Sequence, residues 1–546
     1  MASFRKVVLA AIIKSFLRGK TLLQAILTYW ISPLSWNEGK GRFVTTKAPL
    51  TTVHEFLKTA ETAFLGPVSG HGLNRLSADL KRQYLDCLES DMQCMLPSFN
   101  HLLPTGDEAG QYLAVDVGGS TLRVAVVELF HSQDDAGRRR HENRIVSIRS
   151  FFISQAIKDL EGVAFFDWMA TRISETLAAT DFQGDGPLTM ALAWSFPIEE
   201  TPRQTSLRSG RLLGMGKSFK ASRGLVGQDL GKIIESSCKT MRLEVTIEAI
   251  INDSSACLLS QAYTHPSTRF SLILGTGFNV GAYLPTPLIG RRKFASYPAG
   301  WLERASHTIV NTELSMFGRN ALSLTKWDIQ LLDGHARPDF QPLEYMVSGM
   351  YLGEIARFAL LEAIETTGAF GGIVPPSLIK PYSLGSDTLS MIEMDTSDDL
   401  LKASAIFSER HPSPHTPTTE DLLLLRSLAT YISLRSSALV AAAVYTLDQV
   451  RGESHRSYVA TLPESSPLRR AAEADLALDE TVVAFNGSVI ENYPNYLLNC
   501  QRYIDDLVRG TVGTGPGSVA SIRLVPAKES SLVGAAVASA CVKSNA

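Results

Sequence analysis

The feature that most constrains the fold of this chain is a pair of glycine turns, each placed between two apolar segments. The first lies in YLAVDVGGSTLRVAVVEL, residues 112–129, and the second in FSLILGTGFNVGAYL, residues 270–284. Apolar and β-branched residues on both sides of a short glycine turn predict a strand, a tight turn and a second strand. Because the device recurs after roughly 160 residues, we expect two similar halves with a cleft between them.

The rest of the chain alternates between helical and strand patterns, which indicates an α/β fold. Apolar residues at helical spacing predict helices within 50–96, 163–179, 254–263, 426–450 and 532–542. Apolar runs predict strands at 188–197 and 245–253. Two polar stretches rich in Pro, Ser and charge, 408–421 and 451–480, are typical of surface loops and are interpreted as insertions.

Composition excludes several classes of protein. The length of 546 residues suggests two to four domains at roughly 150 residues each. A net charge of −3 gives no reason to expect nucleic-acid binding. The six cysteines are scattered without a CxxC pair, which indicates free thiols in a reducing compartment rather than disulfides or a zinc site.

The N-terminal segment is basic and apolar, with no acidic residue before Glu38. Within residues 1–35 lysines and arginines interrupt the apolar runs, so none reaches the ~18 residues of a membrane span. Such a segment lies on an anionic membrane surface or serves as a mitochondrial address. The alternatives are a helix packed on the body of the protein and a secretory signal. We expect a cytoplasmic protein, with the basic segment able to associate it with mitochondria.

The first glycine turn has a possible chemical use. Glycine backbone N–H groups can cradle phosphate, and Asp116 at the end of the preceding strand is well placed for Mg²⁺, directly or through water. Alone, the turn is more typical of an ordinary hairpin, as most Gly-Gly pairs are. The second turn lacks the G-x-G-x-x-G spacing of dinucleotide-binding folds, and no Walker A motif is present.

A series of further motifs resembles the hexokinase family. PTGDE (104–108) and DVGGSTLR (116–123) resemble its first phosphate loop, P-T-G-x-E followed by D-x-G-G-T-N-x-R. The remaining matches follow in the family's order: SFP (195–197), GMGKSF (214–219), INDS (251–254), LGTGFN (274–279), VNTELSMFG (310–318) and LEYMVSGMYLGEIAR (343–357).

This resemblance implies a two-domain, actin-like ATPase and sugar kinase fold, ribonuclease H-like, with a central cleft. The implied division is an N-terminal segment at 1–45, a small domain at 46–250 and a large domain at 251–546. The implied reaction is phosphorylation of a hexose, with glucose the first candidate, at its 6-hydroxyl. The implied co-substrate and cofactor are ATP and Mg²⁺, and the reaction would feed glycolysis.

The resemblance also assigns roles to individual residues. Asp253 would be the general base, and Lys217 would neutralise charge on the transferred phosphoryl. Hexose would bind to Ser195, Lys217, Asn252, Asp253, Asn279, Glu313 and Glu344. ATP and its phosphates would bind to Asp116, Gly118, Gly119, Ser120, Thr121, Arg123, Thr276, Gly487, Ser488 and Ser531, with Asp116 also serving Mg²⁺.

Several positions depart from the family pattern: Thr121, Gly216, Asn486, Ser530 and Leu532. Gly216 replaces a sugar-binding Thr, and Ser530 and Leu532 replace glycines near the nucleotide, where side chains are expected to crowd adenine or ribose. Two functions therefore stay open: an active hexokinase, for glucose or another sugar, and a regulatory protein that binds sugar or partner proteins with little turnover.

Overall fold

A computed structural model describes residues 50–133, 139–180, 188–201, 209–216, 218–511 and 521–543. The basic segment 1–35 and the predicted phosphoryl-binding Lys217 lie outside these residues. The described strands form two large sheets and one two-stranded ribbon. The strands are β1 Leu96–Pro97, β2 Gly110–Val117, β3 Thr121–Gln133, β4 Arg139–Phe152, β5 Leu188–Trp194, β6 Ile198–Thr201, β7 Ser209–Leu212, β8 Val245–Ile251, β9 Thr268–Leu274, β10 Phe278–Pro285, β11 His307–Asn311, β12 Glu480–Asn486 and β13 Ser521–Pro526.

The two large sheets share one topology. The first has the order β4-β3-β2-β5-β8, in which β2, β3 and β4 are antiparallel neighbours while β5 and β8 run parallel to β2. The second repeats this order as β11-β10-β9-β12-β13, with β1 added at its edge. The predicted duplication is confirmed, because each glycine turn joins the first and second strands of its own sheet. This is the two-domain, actin-like sugar kinase fold.

Helices surround and separate the sheets. They are α1 Val53–Leu65, α2 Gly72–Ser90, α3 Gln155–Lys158, α4 Val163–Ala178, α5 Leu230–Thr240, α6 Asp253–Thr264, α7 Trp301–Arg304, α8 Lys326–Asp333, α9 Pro342–Val347, α10 Gly349–Thr367, α11 Ser386–Met394, α12 Leu401–Arg410, α13 Thr419–Thr461, α14 Pro467–Leu476, α15 Ser488–Asn492, α16 Tyr496–Thr511 and α17 Ser530–Lys543. Helices α4 and α5 cover the first sheet, while α1, α2, α10 and α16 pack around α13 beside the second.

Two helices occupy the space between the sheets. Helix α6 packs on β9 and β10, and α17 packs on α6 and on the strands of the first sheet. Their approach depends on Gly534, since a Cβ there would lie 1.9 Å from the carbonyl oxygen of Ala256. Helix α6 begins directly after β8, so the end of one strand and the start of one helix both face the cleft.

The prediction of a surface loop at 451–480 is wrong over most of its length. Helix α13 continues to Thr461, and α14 covers Pro467–Leu476. The polar residues that suggested a loop instead form a buried ion cluster, in which Asp475 accepts from Arg451 at 2.8 Å and lies 3.0 Å from the ring Nδ1 of His455. His455 is fully buried. These polar side chains pair with one another in the interior instead of being solvated at the surface.

The other predicted loop, 408–421, is a loop only between Arg410 and Thr419. Helix α13 begins where it does because the Thr418 hydroxyl accepts from the Asp421 N–H, while the Asp421 carboxylate accepts from the Thr418 N–H in return. Among the described helices, α13 has an 18-residue window apolar enough to cross a membrane, but 78% of that window is buried in the protein. Its apolar character is that of a core helix.

Candidate active site

A cleft of about 710 Å³ brings together five of the predicted sugar-binding residues. Ser195 follows β5, Asn252 and Asp253 begin α6, Asn279 lies on β10, and Glu313 follows β11. These elements belong to both sheets. The fold therefore brings into one cleft five residues that the sequence connected only through the family resemblance. Polar side chains converging on one concave surface are what recognition of a hydroxyl-rich ligand requires.

Asn252 and Asp253 owe their positions to the start of α6. The Asn252 side chain caps the helix, its Oδ1 accepting from the Ser255 N–H at 2.8 Å. Asp253 then occupies the first turn, and its Oδ1 accepts from the Ser254 N–H at 2.7 Å. The strand-to-helix junction therefore fixes an amide and a carboxylate at the floor of the cleft.

A chain of hydrogen bonds fixes the polar side chains of the second sheet. The Asn279 amide donates to Asn311 Oδ1 at 2.8 Å, and the Asn311 amide donates to Glu313 Oε1 at 2.8 Å. Asn279 Oδ1 accepts from the Val280 N–H at 2.8 Å. The orientations of these side chains are therefore set before any ligand binds.

Glu344 lies on α9, next to the second glycine turn. Its Oε2 accepts from the Phe278 N–H at 2.9 Å, and a Cβ added at Gly277 would lie 3.2 Å from the same oxygen. Glu344 is thus held by the backbone of the turn rather than by other cleft side chains. Of the predicted sugar residues, Glu344 lies outside the lining of the cleft, and Lys217 is outside the described residues.

Three carboxylates lie close enough to influence one another. Burial raises the pKa of Glu313 above its ordinary value; the hydrogen bond from Asn311 opposes this rise and the charge of Asp253 adds to it. Burial likewise raises the pKa of Glu344, with the Phe278 N–H opposing and the charge of Glu313 adding. A ligand that donates several hydroxyl protons would relieve this concentration of negative charge.

The first glycine turn is flanked by an ion cluster. The Gly118 N–H donates to the Thr121 carbonyl at 3.0 Å, and Ser120 is exposed at the tip, with Gly119 beside it. Across the hairpin, Arg123 donates to Asp116 Oδ2 through Nε at 3.0 Å and to Glu529 through Nη1 at 2.8 Å. Burial raises the pKa of Asp116, while Arg123 opposes the rise.

This cluster suits a hard divalent cation in its donor type, since Asp116 and Glu529 supply carboxylate oxygens. Arg123 is paired with both carboxylates. When Mg²⁺ and phosphate bind, Mg²⁺ would take over the carboxylates and Arg123 would be able to contact the phosphate. Asp116 is the carboxylate of this cluster that would hold Mg²⁺, directly or through water.

The second turn is packed against another backbone. Residues 275–277 form a tight turn in which the Gly275 N–H donates to the Gly277 carbonyl at 3.0 Å, leaving Thr276 exposed at the tip. A Cβ at Gly275 would lie 3.4 Å from the Ser488 nitrogen. Gly487 has φ of +133°, and a Cβ there would lie 2.3 Å from the Leu274 carbonyl oxygen. Thr276, Gly487 and Ser488 are therefore one structural unit.

The expected crowding of the nucleotide by Ser530 and Leu532 is wrong. Leu532 is fully buried in the apolar core between the sheets, and Ser530 is only 4% exposed. The Ser530 hydroxyl forms a hydrogen bond with the Cys257 thiol, whose pKa burial nevertheless raises. Ser531, by contrast, is partly exposed in the first turn of α17. Both substitutions fill the packing between α17 and α6.

Sequence reasoning missed three polar residues of these sites: Asn311, Lys293 and Glu529. Asn311 stands two positions before Glu313 in the matched VNTE segment, so that motif offered a signal. Glu529 directly precedes Ser530 in the segment 528–536 that resembles the family's nucleotide motif, so that motif also offered a signal, whereas Lys293 lies in a segment with no clear motif and is revealed only by its contacts. Gly216, in contrast, has open space where a side chain would be, since a Cβ there would meet nothing within 4 Å.

Comparison with known proteins agrees with this geometry. Two family models, each described as Hexokinase, match residues 61–263 and 269–541. The chain is 27% identical over 504 residues to "Hexokinase-4, chloroplastic" of Oryza sativa subsp. japonica, covering 88% of this chain and 89% of that protein. It is 26% identical over 513 residues to "N-acetylglucosamine kinase 1" of Candida albicans, covering 89% and 92%. A solved hexokinase from Schistosoma mansoni complexed with glucose matches with a TM-score of 0.67 at 21% identity, covering 90% and 100%.

Proposed function

Because the chain belongs to the hexokinase family and is a sugar phosphotransferase, we propose that it transfers the γ-phosphate of ATP to the 6-hydroxyl of a hexose. Glucose is the first candidate, and the product would enter glycolysis. The observation that carries the proposal is the convergence of Ser195, Asn252, Asp253, Asn279 and Glu313 on one cleft.

In this mechanism, the polar side chains of the cleft bind the sugar, and the aspartate at the start of α6 activates its attacking hydroxyl. Asn279 and Glu313, with Glu344 beside the turn, would hold the sugar hydroxyls in one orientation, which removes much of the entropic barrier to reaction. Asp253 would accept the proton of the attacking hydroxyl. Lys217 is proposed to contact the transferred phosphoryl group.

The phosphates of ATP would be bound by backbone N–H groups and by the guanidinium of Arg123. The N–H groups of the turn at 118–120 and of the unit formed by Thr276, Gly487 and Ser488 would bind phosphate oxygens, and Ser531 would lie toward the nucleoside. Mg²⁺, when bound through Asp116, would neutralise negative charge on the phosphates. Segments 46–250 and 251–546 are proposed to close on the substrates and exclude water, which otherwise competes as acceptor.

A second candidate substrate is a hexose that carries an acylamino group. The lining of the cleft also includes the apolar and aromatic side chains of Met92, Leu96, Phe99 and Tyr297. Phe99 and Tyr297 stack with ring centroids 4.1 Å apart. A cleft of about 710 Å³ is larger than one hexose requires, and the Candida albicans relative is named an N-acetylglucosamine kinase.

A coupled assay with ATP, Mg²⁺ and a panel of hexoses tests both candidates. Glucose, mannose, fructose and N-acetylglucosamine should be compared by kcat/KM, with binding measured by calorimetry in parallel. Turnover of a hexose that disappears in Asp253→Ala supports the proposal. Sugar binding without turnover of any member would contradict it and favour the regulatory alternative.

The basic N-terminal segment is proposed to bind a membrane surface. The support is its content of lysine and arginine among apolar residues, without acids through residue 35. Deleting residues 1–35 should move a fluorescent fusion from membranes to the cytosol. A diffuse distribution of both the full chain and the deletion would refute this.

A further inference from the structure

Cys87 and Cys94 form a pair that the spacing of cysteines in the sequence did not suggest. Cys87 lies in the last turn of α2, and Cys94 lies in the turn that follows that helix. The two sulfur atoms and a carboxylate oxygen of Asp91 all lie within 4.8 Å of one another. Cys87 is partly exposed, whereas Cys94 is 3% exposed. An oxidant in solution therefore has access to Cys87, while Cys94 is shielded from solvent.

The contact between the two thiols, rather than the surrounding charges, favours a reactive thiolate at Cys87. A hydrogen bond from the Cys94 thiol lowers the pKa of Cys87, and nearby Lys293 lowers it further, while burial, Asp91 and Asp86 oppose these effects. The same hydrogen bond holds the pKa of Cys94 above its ordinary value. This is the arrangement of an attacking and a resolving thiol.

Lys293 connects the pair to the sugar cleft. The residue is 6% exposed, and its ammonium donates to the carbonyl oxygens of Cys94 at 2.7 Å and Met95 at 3.0 Å. Lys293 also lines the cleft, as do Met92 and Leu96 on either side of Cys94. The turn that carries Cys94 is therefore part of the cleft wall.

The same turn is tied to the predicted sugar residues. Met95 has φ of +50°, a strained value for a residue other than glycine, and its N–H donates to the Thr312 carbonyl at 3.0 Å. Leu96 pairs with Asn311, which in turn donates to Glu313. A displacement of the turn would reach the sugar-binding carboxylate through the pairing of β1 with β11 and the hydrogen bond from Asn311 to Glu313.

We propose that Cys87 and Cys94 are an oxidisable dithiol that responds to hydroperoxides and controls the shape of the sugar cleft. The Cys87 thiolate attacks hydrogen peroxide, forming a sulfenic acid and releasing hydroxide. The Cys94 sulfur then attacks the sulfenic sulfur, a disulfide forms, and water leaves once the Cys94 proton is transferred. In total, two thiols lose two electrons and two protons, and one peroxide becomes two waters.

Disulfide formation would bring the two sulfur atoms to about 2.0 Å, much closer than a contact between two thiols, and we expect the turn that carries Cys94 to be displaced with its sulfur. The Lys293 contacts to the carbonyls of Cys94 and Met95 would shift with it. Zinc is a less suitable occupant of the same site, because the positive charge of Lys293, which acts on the Cys87 thiol, also repels a cation.

Peroxide treatment of the full-length chain tests the proposal. Peptide mapping should find a Cys87–Cys94 disulfide, and the free thiols should fall from six to four. Calorimetry with glucose and with N-acetylglucosamine should show an affinity change of at least about fivefold, a typical size for coupling between sites, reversed by dithiothreitol. The effect should vanish in Cys87→Ser and in Cys94→Ser and persist in the control Cys238→Ser, a buried cysteine on α5.

Two variants that retain both sulfurs test the rate of disulfide formation. Lys293→Met should slow disulfide formation, and Asp91→Asn should speed it, because the two groups act on the Cys87 thiolate with opposite signs. A map without this disulfide, or stoichiometric zinc that protects both thiols, would overturn the proposal, and a disulfide that leaves sugar affinity unchanged would overturn its control of the cleft. The affinity effect rests on the proposed sugar site, whereas mapping does not, so failure of sugar binding in the reduced protein would be recognised separately.

Discussion

The sugar cleft and the phosphate-binding turns are built in different ways. In the cleft, side chains orient one another: Asn279 bonds to Asn311, and Asn311 to Glu313, before a ligand is present. At the first turn, Arg123 is instead engaged by Asp116 and Glu529, carboxylates that a nucleotide phosphate would have to displace. The sugar side is thus preorganised, whereas the phosphate side must rearrange on binding.

This difference also separates the departures from the family pattern into two kinds. Ser530 and Leu532 lie in the packing between α17 and α6, so they alter the support of the nucleotide site rather than its surface. Gly216 leaves an open space and alters a surface directly. The side chains that replace glycine at 530 and 532 therefore change buried packing, whereas the glycine that replaces threonine at 216 changes an exposed position.

The largest effect is expected at the helix start in the cleft. Asp253→Asn should lower kcat by roughly 10²–10⁴-fold, the range for loss of a general base, with sugar affinity little changed. Steady-state kinetics and calorimetry would measure the two effects separately. Asp339→Asn, an acid exposed at the surface and paired with Arg319, is the matched control and should retain activity. Equal losses of kcat and affinity would argue that Asp253 only binds sugar.

On the phosphate side, Gly487→Ala should be the most damaging backbone change. The added Cβ would lie 2.3 Å from the Leu274 carbonyl oxygen at φ of +133°. We expect a loss of stability of about 1–3 kcal/mol or more together with a raised KM for ATP. Thermal unfolding and kinetics would check this.

Gly510→Ala is the matched control for that change. Gly510 lies within α16, and a Cβ there meets nothing within 4 Å. Because Gly510 is exposed and next to the end of the helix, the substitution should change stability by no more than about 0.5 kcal/mol. If both variants behaved alike, the close packing of Gly487 against the second turn would be refuted.

Leu532→Ala tests whether this side chain stabilises the core between the sheets rather than contacting the nucleotide. Removing a fully buried leucine should cost about 2–5 kcal/mol of unfolding free energy. It should not improve the KM for ATP, because the side chain faces the core. Chemical denaturation measures the first effect and kinetics the second. A variant with normal stability and a clearly lower KM for ATP would restore the crowding interpretation.

The paired carboxylates predict a pH dependence of sugar binding. The pKa of Glu313 is raised, so on acidification this group takes up a proton at a higher pH than an ordinary glutamate. Since the carboxylate accepts hydroxyl protons, affinity should be full above the raised pKa and fall as pH drops through it. Sugar binding in mildly acidic buffer should therefore release protons, which calorimetry in buffers of different ionisation enthalpy detects.

Glu313→Gln is the control for that profile. The amide oxygen can still accept from Asn311, so the fold of the cleft is retained. Affinity should be weaker than in the parent protein, and its fall between neutral and mildly acidic pH should be smaller. An unchanged profile would assign the titration to another group, such as Glu344.

Much of the fold was predictable because the glycine turns punctuate strong apolar strands, and strand period depends on local sequence. The two sheets and their turns followed from that pattern. The helices in the stretch 451–480 were not predictable. Arg451 and His455 pair with Asp475 only in the folded protein, and in the sequence their polarity is typical of a surface loop.

For the candidate site, motif order supplied the residues of the cleft but not their partners. The pairing of Glu529 with Arg123 and the Cys87–Cys94 pair emerge only when distant segments or successive turns are brought together in space. The sequence likewise could not distinguish a residue at the site surface from one in the core beneath it, as Leu532 demonstrates.

The smallest effect is expected from refilling the open position at Gly216. Gly216→Thr introduces a hydroxyl where a Cβ meets nothing within 4 Å, so the fold should tolerate it. One added hydrogen bond to sugar is worth about 0.5–1.5 kcal/mol, and affinity for glucose should rise by up to tenfold. Gly216→Val, which has the same shape without the hydroxyl, is the control and should give no gain. If affinity for glucose were to rise while that for N-acetylglucosamine fell, the open position would be identified as a determinant of which hexose the cleft accepts.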